Sequence, residues 1–287
     1  MTPRFSVVVP AFNAEDTIAD QLVALEKQTF PEPFEVIVAD NGSVDATADI
    51  ARSFSERLPG LTVVDASARR GAAAARNAGA MVATGEYLAF CDADDEVDEG
   101  WLEAFNRGVP GCEFMTGSID HDKLNPSTGE SHWRSHVSSI PRALRFKPYA
   151  LSGNMAVSRD VFDRSGGFPD DLGTVGEDVA FSWQLQLDGH ELHFRPDAVV
   201  AYRHKHGLKE LWDQHVAFGK ADVVLYKRFK RHGVPKPKVT SMIAAYIRLV
   251  LKLPRVVSPE RRPAVVRGWA KRWGRLLGSV RERVIFL

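Results

Sequence analysis

A chain of 287 residues with 44% hydrophobic side chains is long enough for one large or two ordinary domains and can fill a real core, so it is globular. Two cysteines, Cys91 and Cys112, fit neither a disulfide framework nor a zinc pattern; both are expected to be core thiols in a reducing compartment. The balance of 37 basic and 37 acidic residues conceals a split: from Lys227 onward 17 Lys and Arg face two acids, leaving 20 against 35 before it, so the two parts carry +15 and −15.

The elements begin at the N-terminus, where the apolar stretch is too short for a signal peptide and reads as a strand, Phe5 to Pro10, ended by proline. A helix follows from Thr17 to Gln28, with Ile18, Leu22 and Leu25 on one face. The pattern repeats with a strand from Phe34 to Ala39, a helix from Ala46 to Leu58, a strand from Leu61 to Val64, an alanine-rich helix from Gly71 to Val82 and a strand from Tyr87 to Cys91. Such alternation predicts an α/β sheet, largely parallel and covered on both faces. In these sheets ligands sit beyond the carboxyl ends of the strands, where Pro10 to Asn13, Asp40 to Ser43 and Asp92 to Asp95 all fall. No apolar run reaches the length of a membrane-spanning helix.

Cys91-Asp-Ala-Asp-Asp95 is the most informative of these ends. In an extended segment Asp92 and Asp94 point the same way, and two carboxylates there call for a cation between them. Hard oxygen ligands suit Mg²⁺ or Mn²⁺, which commonly bind one or two carboxylates together with substrate phosphates. The competing reading is an acidic loop in which Asp95 or Asp98 caps the helix beginning near Trp101.

Several segments taken in order resemble one family. They are Val7-Val-Val-Pro-Ala-Phe-Asn13, Leu25-Glu-Lys-Gln-Thr29, Val36-Ile-Val-Ala-Asp-Asn-Gly-Ser43 with Asp45 and Thr47, Ala75-Arg-Asn-Ala-Gly79, Gly85 to Asp94, Gly153-Asn-Met-Ala-Val157, Gly166-Gly-Phe168 and Gly176-Glu-Asp178. Together they resemble the inverting family 2 glycosyltransferases of GT-A fold, over roughly residues 5 to 206. Arg69 departs from the pattern, standing where many relatives carry an asparagine two residues before the glycine matched by Gly71.

The resemblance implies a nucleotide-diphosphate sugar donor, a glycan or lipid-linked hydroxyl acceptor, and Mn²⁺ or Mg²⁺. It implies that Pro10, Ala11, Asn13 and Glu15 line the base and ribose pocket, with Asp40 accepting a hydrogen bond from the base. Asn13 and Glu15 also fit the first turn of a helix, and Asp40 an Asx turn with Gly42. Arg76 falls near the diphosphate, and Asn41, Arg69, Gly71, Ala93 and Asn154 complete the substrate-binding set. Asp92 would hold ribose or metal and Asp94 the metal, joined by His204, with His206 as the alternative. Asp178 matches the position of the catalytic base, with Glu177 next in line; both acids also complement the dipole of the helix they open. The segment from Asp120 to Ser139, with His121, His132, Trp133 and His136, is expected to shape the acceptor site.

The basic region, residues 226–287, is expected to be helical and separate from a glycosyltransferase domain at 1–225. Val265, Val266, Trp269, Trp273, Leu276, Leu277, Val280 and Val284 recur at helical spacing among arginines and lysines. The run from Met242 to Leu253 is a second helix, ending at Pro254. One reading lays these helices on an anionic membrane at the cytoplasmic face. The other packs them on the catalytic body or on a second copy of the chain. Nucleic acid is not an expected partner. A noncatalytic nucleotide-sugar-binding or scaffold protein is the alternative function. A sugar-phosphate nucleotidyltransferase is disfavoured because Val7 to Thr17 lacks its glycine-rich, lysine-bearing signature.

Overall fold

The computed structural model describes residues 2–58, 60–125, 136–137, 139–172, 175–204, 207–259 and 261–286. In chain order the elements are β1 (Phe5–Ala11), α1 (Ile18–Glu26), β2 (Phe34–Asp40), α2 (Thr47–Ser53), β3 (Leu61–Asp65), α3 (Ala72–Val82), β4 (Tyr87–Cys91), β5 (Glu96–Val97), α4 (Trp101–Asn106), β6 (Phe114–Asp120) and β7 (His136–Val137). They continue with β8 (Asn154–Ser158), α5 (Arg159–Ser165), α6 (Glu177–Leu187), β9 (Leu192–Ala201), α7 (Leu208–Phe229), α8 (Val239–Lys252) and α9 (Arg262–Glu282). The second helix is shorter than its apolar pattern suggests, because after Ser53 the chain passes into tight turns around Phe54 and Leu58.

One sheet runs in the order β3-β2-β1-β4-β8-β6-β9-β5, with β7 on β6. The expectation of a mostly parallel sheet holds from β3 to β4 and again between β6 and β9; it is interrupted by β8, antiparallel to both β4 and β6, and by β5, antiparallel to β9. A parallel neighbour needs a long crossover, usually helical, and no helix lies between β6 and β8 among the described residues.

Alternation along the strands explains why they read as unbroken apolar runs. Val7, Val9, Val36, Val38 and Ala89 face one core with α1 and α4, whereas Val8, Ile37, Leu88 and Phe90 face another with α3, α5 and α6. Cys91 lies in the first core; Cys112 is part-exposed rather than buried. Helix α6 is buried twice over, with Phe181 and Leu185 on the sheet side and Val179 and Trp183 against Leu225 and Phe229 of α7.

The boundary expected near residue 226 falls inside α7, and α9 packs back along that helix. The contact is close because glycines meet: a Cβ on Gly274 would stand 2.1 Å from the Val216 carbonyl oxygen and 3.0 Å from the Gly219 Cα. Asp222 of α7 is buried there and shared by Arg275 at 2.7 Å and Lys271 at 3.2 Å. Helix α9 is thus part of the body, with Val265, Ala270, Gly278 and Ser279 buried. Helix α8 differs: Ile243, Ile247, Val250 and Leu251 all face solvent. No helix among the described residues is long and apolar enough to cross a membrane.

Candidate active site

The β1 and β2 ends are laced together. Ala11 pairs with Asp40 across the parallel ladder, and the chain then turns through Asn13, held in the left-handed region at φ 48°. Asn13 Oδ1 accepts from the Val44 N–H at 3.0 Å, and its own N–H donates to Ser43 Oγ. Glu15 accepts from the Ala46 N–H at 3.0 Å, and Asp40 accepts from the Ser43 N–H at 3.3 Å, one residue beyond the Asx turn expected at Gly42.

Four residues from the expected substrate-binding set have structural duties. Asn41 is buried, donating to the Ala66 and Arg69 carbonyls and accepting from the Gly71 N–H, so its amide shapes the 66–71 loop. Asn154 lies in the core, where it accepts from Trp101 Nε1 at 2.8 Å and donates to the Ser118 and Ala198 carbonyls. Its side chain is fully used there and does not face a ligand. Ala93 is buried, and Arg69 reaches outward to pair with Asp170 at 2.5 Å.

Arg76 of α3 is the centre of the site. Although the helix is rich in alanine, this arginine is buried, donating to Asp92 at 2.6 Å and to Glu177 at 2.9 Å. Burial opposes its charge, but Asp92 and Glu177 outweigh it and the pKa is raised. Its Nε has no hydrogen-bond partner among the described residues, an uncommon state for a buried donor.

Asp92, Asp94 and Asp95 each place a carboxylate oxygen within 4.8 Å of the others. Gly153 leaves room for this, since a Cβ there would stand 2.7 Å from Asp92 Oδ2. Burial, followed by the charges of Asp92 and Asp94, pushes the Asp95 carboxyl well above its ordinary range. The end of β9 pins the loop, with the Arg203 N–H donating to Asp95 and its Nε to the Asp94 carbonyl. A cluster of hard oxygens this close fits a divalent cation.

Of the two acids that the competing reading offered as a cap for the next helix, Asp95 completes the cluster instead. Asp98 does the local work, accepting from the Gly100 N–H before α4. His204 is not in the cluster. Its ring stacks on His121 at 5.0 Å and meets Tyr202 edge-on, while its backbone N–H donates to Asn125 Oδ1. His206, His132 and Trp133 lie outside the described residues.

Asp178 follows Glu177 at the start of α6, its Oδ1 accepting from the Val179 N–H at 2.7 Å. Burial and the neighbouring Glu177 charge push its carboxyl up to about 7. Tyr149 lines the same space, with its phenol raised by burial and by Asp178 and Asp222. A cavity of about 1440 Å³ joins Arg76, Asp92, Asp95, Glu177 and Asp178 to His204 and to the wall made by α7 and α9. Sequence reasoning missed Tyr149, Gly153 and that wall; Asp95 alone was visible, as the fourth residue of Asp-Ala-Asp-Asp.

A mixed sheet with a carboxylate cluster at the end of its fourth strand, opposite an acid-bearing helix start, defines a GT-A transferase. The family model Glycosyl transferase family 2 matches residues 6–165, and the chain belongs to that family of glycosyltransferases. Glycosyltransferase AglE of Haloferax volcanii is 32% identical over 204 residues, covering 69% of this chain and 66% of that protein. The validoxylamine A glucosyltransferase of Streptomyces hygroscopicus subsp. limoneus is 31% identical over 221 residues, covering 65% of this chain and 49% of that one. The chain thus spans two thirds or less of these relatives. Mannosyltransferase PcManGT from Pyrobaculum calidifontis, solved in complex with GDP-Man and Mn²⁺, shares the fold with a TM-score of 0.62 at 23% identity, over 98% of this chain and 74% of that one.

Proposed function

We propose that this glycosyltransferase is metal-dependent and inverting, moving a sugar from a nucleotide-diphosphate donor to an acceptor hydroxyl. The observation that carries the reading is Arg76, which ties Asp92 of the carboxylate cluster to Glu177, the neighbour of a carboxyl raised to about 7. Donor end and proton acceptor thereby share one cavity.

In the reaction, Asp178 takes the proton from the acceptor hydroxyl as that oxygen bonds to the anomeric carbon. The bond from that carbon to the diphosphate oxygen breaks on the opposite face, its electron pair leaving with the nucleotide. A single displacement inverts the centre without a glycosyl-enzyme intermediate. Asp92, Asp94 and Asp95 would hold Mn²⁺ or Mg²⁺, which supplies charge stabilisation to the departing diphosphate. Arg76, at the lining of the same cavity, would bring its positive charge to the same oxygens. Pro10, Ala11, Asn13, Glu15 and Asp40 would border the nucleoside. PcManGT, with GDP-Man and Mn²⁺, supports this donor chemistry by analogy of fold.

The acceptor is a glycan or lipid-linked hydroxyl in cell-surface glycan or glycolipid synthesis. The exposed apolar face of α8, beside Arg248 and Lys252, docks the protein on the anionic inner face of the cell membrane. The test is turnover of a panel of UDP- and GDP-sugars with Mn²⁺, with EDTA, and with Asp178→Asn. Donor binding without any transfer would favour a noncatalytic sugar-nucleotide binder, and activity undiminished in EDTA would remove the metal.

A further inference from the structure

The cavity has a second pole, opposite in charge to the carboxylate cluster. Helix α9 supplies Arg262, Arg267, Lys271 and Arg275 to its lining, and the segment before Tyr149 adds Arg142 and Arg145. From α7 the same lining receives one acid, Asp222, already engaged by Lys271 and Arg275. His215 of α7 lies among these cations; burial first, then the charges of Arg267 and Lys271, lower its pKa against the opposing hydrogen bond to the Leu211 carbonyl. Arg262 donates to the Val256 carbonyl and Arg142 to the Phe146 carbonyl, both neutral acceptors.

Gathering like charges around a cavity costs folding energy unless an anion comes to occupy it. The donor's diphosphate already has its place by Arg76 and the carboxylate cluster. Guanidinium forks match phosphate oxygens in pairs, and a helix presenting several of them suits a phosphate better than a single carboxylate. We infer that the α9 wall binds a phosphate carried by the acceptor, so that the molecule glycosylated is a phosphate ester rather than a neutral sugar. This rests on the glycosyltransferase reading above and adds the class of acceptor. The phosphate is held, not transferred; the reacting hydroxyl belongs to the same molecule and faces Asp178. The strongly basic C-terminal region then has a substrate to serve. Both a lipid phosphate and a soluble phosphate polymer carry this chemistry, and the apolar face of α8, whose Leu249 packs on Gly268 of α9, stands nearby.

The test titrates the full-length protein by calorimetry with decyl phosphate below its micelle concentration and with glycerol 3-phosphate, decyl maltoside serving as the uncharged control. Each titration is run with and without saturating nucleoside diphosphate and Mn²⁺. The expected result is phosphate binding that persists with nucleotide bound and weakens at least tenfold in Arg267→Gln/Lys271→Gln, with nucleotide affinity unchanged. Arg275 is left in place because it holds the buried Asp222. Arg145→Gln, at an exposed position, provides a second variant with the same expected direction should the double variant fold poorly. Tighter binding of decyl phosphate than of glycerol 3-phosphate identifies the lipid source, and equal binding the soluble polymer. No phosphate binding, binding unaffected by the variants, or displacement by nucleotide overturns the inference. Failure of the nucleotide itself to bind counts against the donor reading instead, and the phosphate titrations are judged on their own.

Discussion

Asp178→Asn separates catalysis from stability in a way that a helix-capping acid would not. The Asp178 carboxyl is raised from its ordinary 3.8 to about 7, first by burial and then by Glu177. A displacement of that size corresponds to ~4 kcal/mol; contact with the open cavity screens the charge, so about half, ~2 kcal/mol, is the working figure. The sign follows from proton linkage. Between pH 4 and 7 the unfolded chain gives up this proton while the folded one keeps it, so the group's contribution to stability falls as pH rises through that window.

Asparagine removes the titration and keeps an oxygen for the Val179 N–H. At pH 8 the variant should therefore be more stable than the parent by ~2 kcal/mol, or roughly 4 °C in Tm, and at about pH 3, below both the folded and the unfolded pKa, the two should coincide. Transfer should fall by about 10²-fold or more while donor affinity is kept. The parent's turnover should rise as pH passes about 7 and the base loses its proton. Thermal melts at the two pH values, with transfer rates on the same samples, make the measurement. Equal melting at pH 8, or near-normal turnover, would refute the assignment and return Asp178 to a helix-capping role.

Asp94→Ala should abolish the Mn²⁺-dependent part of nucleotide affinity and leave the fold intact, read by nucleotide titration with and without the ion. Gly274→Ala should destabilise by ~1–3 kcal/mol despite the better helix propensity of alanine, because the new Cβ meets the Val216 backbone 2.1 Å away; urea denaturation measures it. Ile247→Ser with Leu251→Ser should weaken sedimentation with anionic vesicles, binding that also declines with added salt, while transfer to a soluble acceptor persists.

The strands through β4 were legible because each reads as a short apolar run between turn residues. The antiparallel course of β8 was not, since that strand carries no local mark of direction. The acids at positions 92, 94, 177 and 178 were legible as motif residues, but their environments were not. Nothing in Ala72 to Val82 shows that Arg76 is buried between two carboxylates contributed by distant elements. Asn41 and Asn154 illustrate the opposite error: the motif marks them, and the structure uses their amides to hold loops and core. The C-terminal helix was legible as amphipathic, but its partner was not. The glycines that let α9 approach α7 look like weak points in a helix until Gly219 is seen facing Gly274.

Glu177 and Asp178 are adjacent in sequence and chemically alike, and their surroundings give them different work. Glu177 Oε1 is held by Arg76 at 2.9 Å, and protonating it would surrender a buried ion pair. Among the described residues Asp178 has no guanidinium on its oxygens; it accepts one backbone N–H, and burial and Glu177 raise its carboxyl to about 7. The proposed mechanism therefore has the first acid anchor Arg76 and the second exchange the proton. Glu177→Gln should accordingly behave unlike Asp178→Asn. An amide oxygen still accepts from Arg76 but without charge, so stability should fall by ~1–3 kcal/mol and nucleotide affinity should weaken as Arg76 loses its alignment. The rise of turnover through neutral pH should remain, shifted downward because one negative neighbour of Asp178 is gone. A Glu177→Gln enzyme whose turnover no longer depends on pH near neutrality would make Glu177 the base and Asp178 its support.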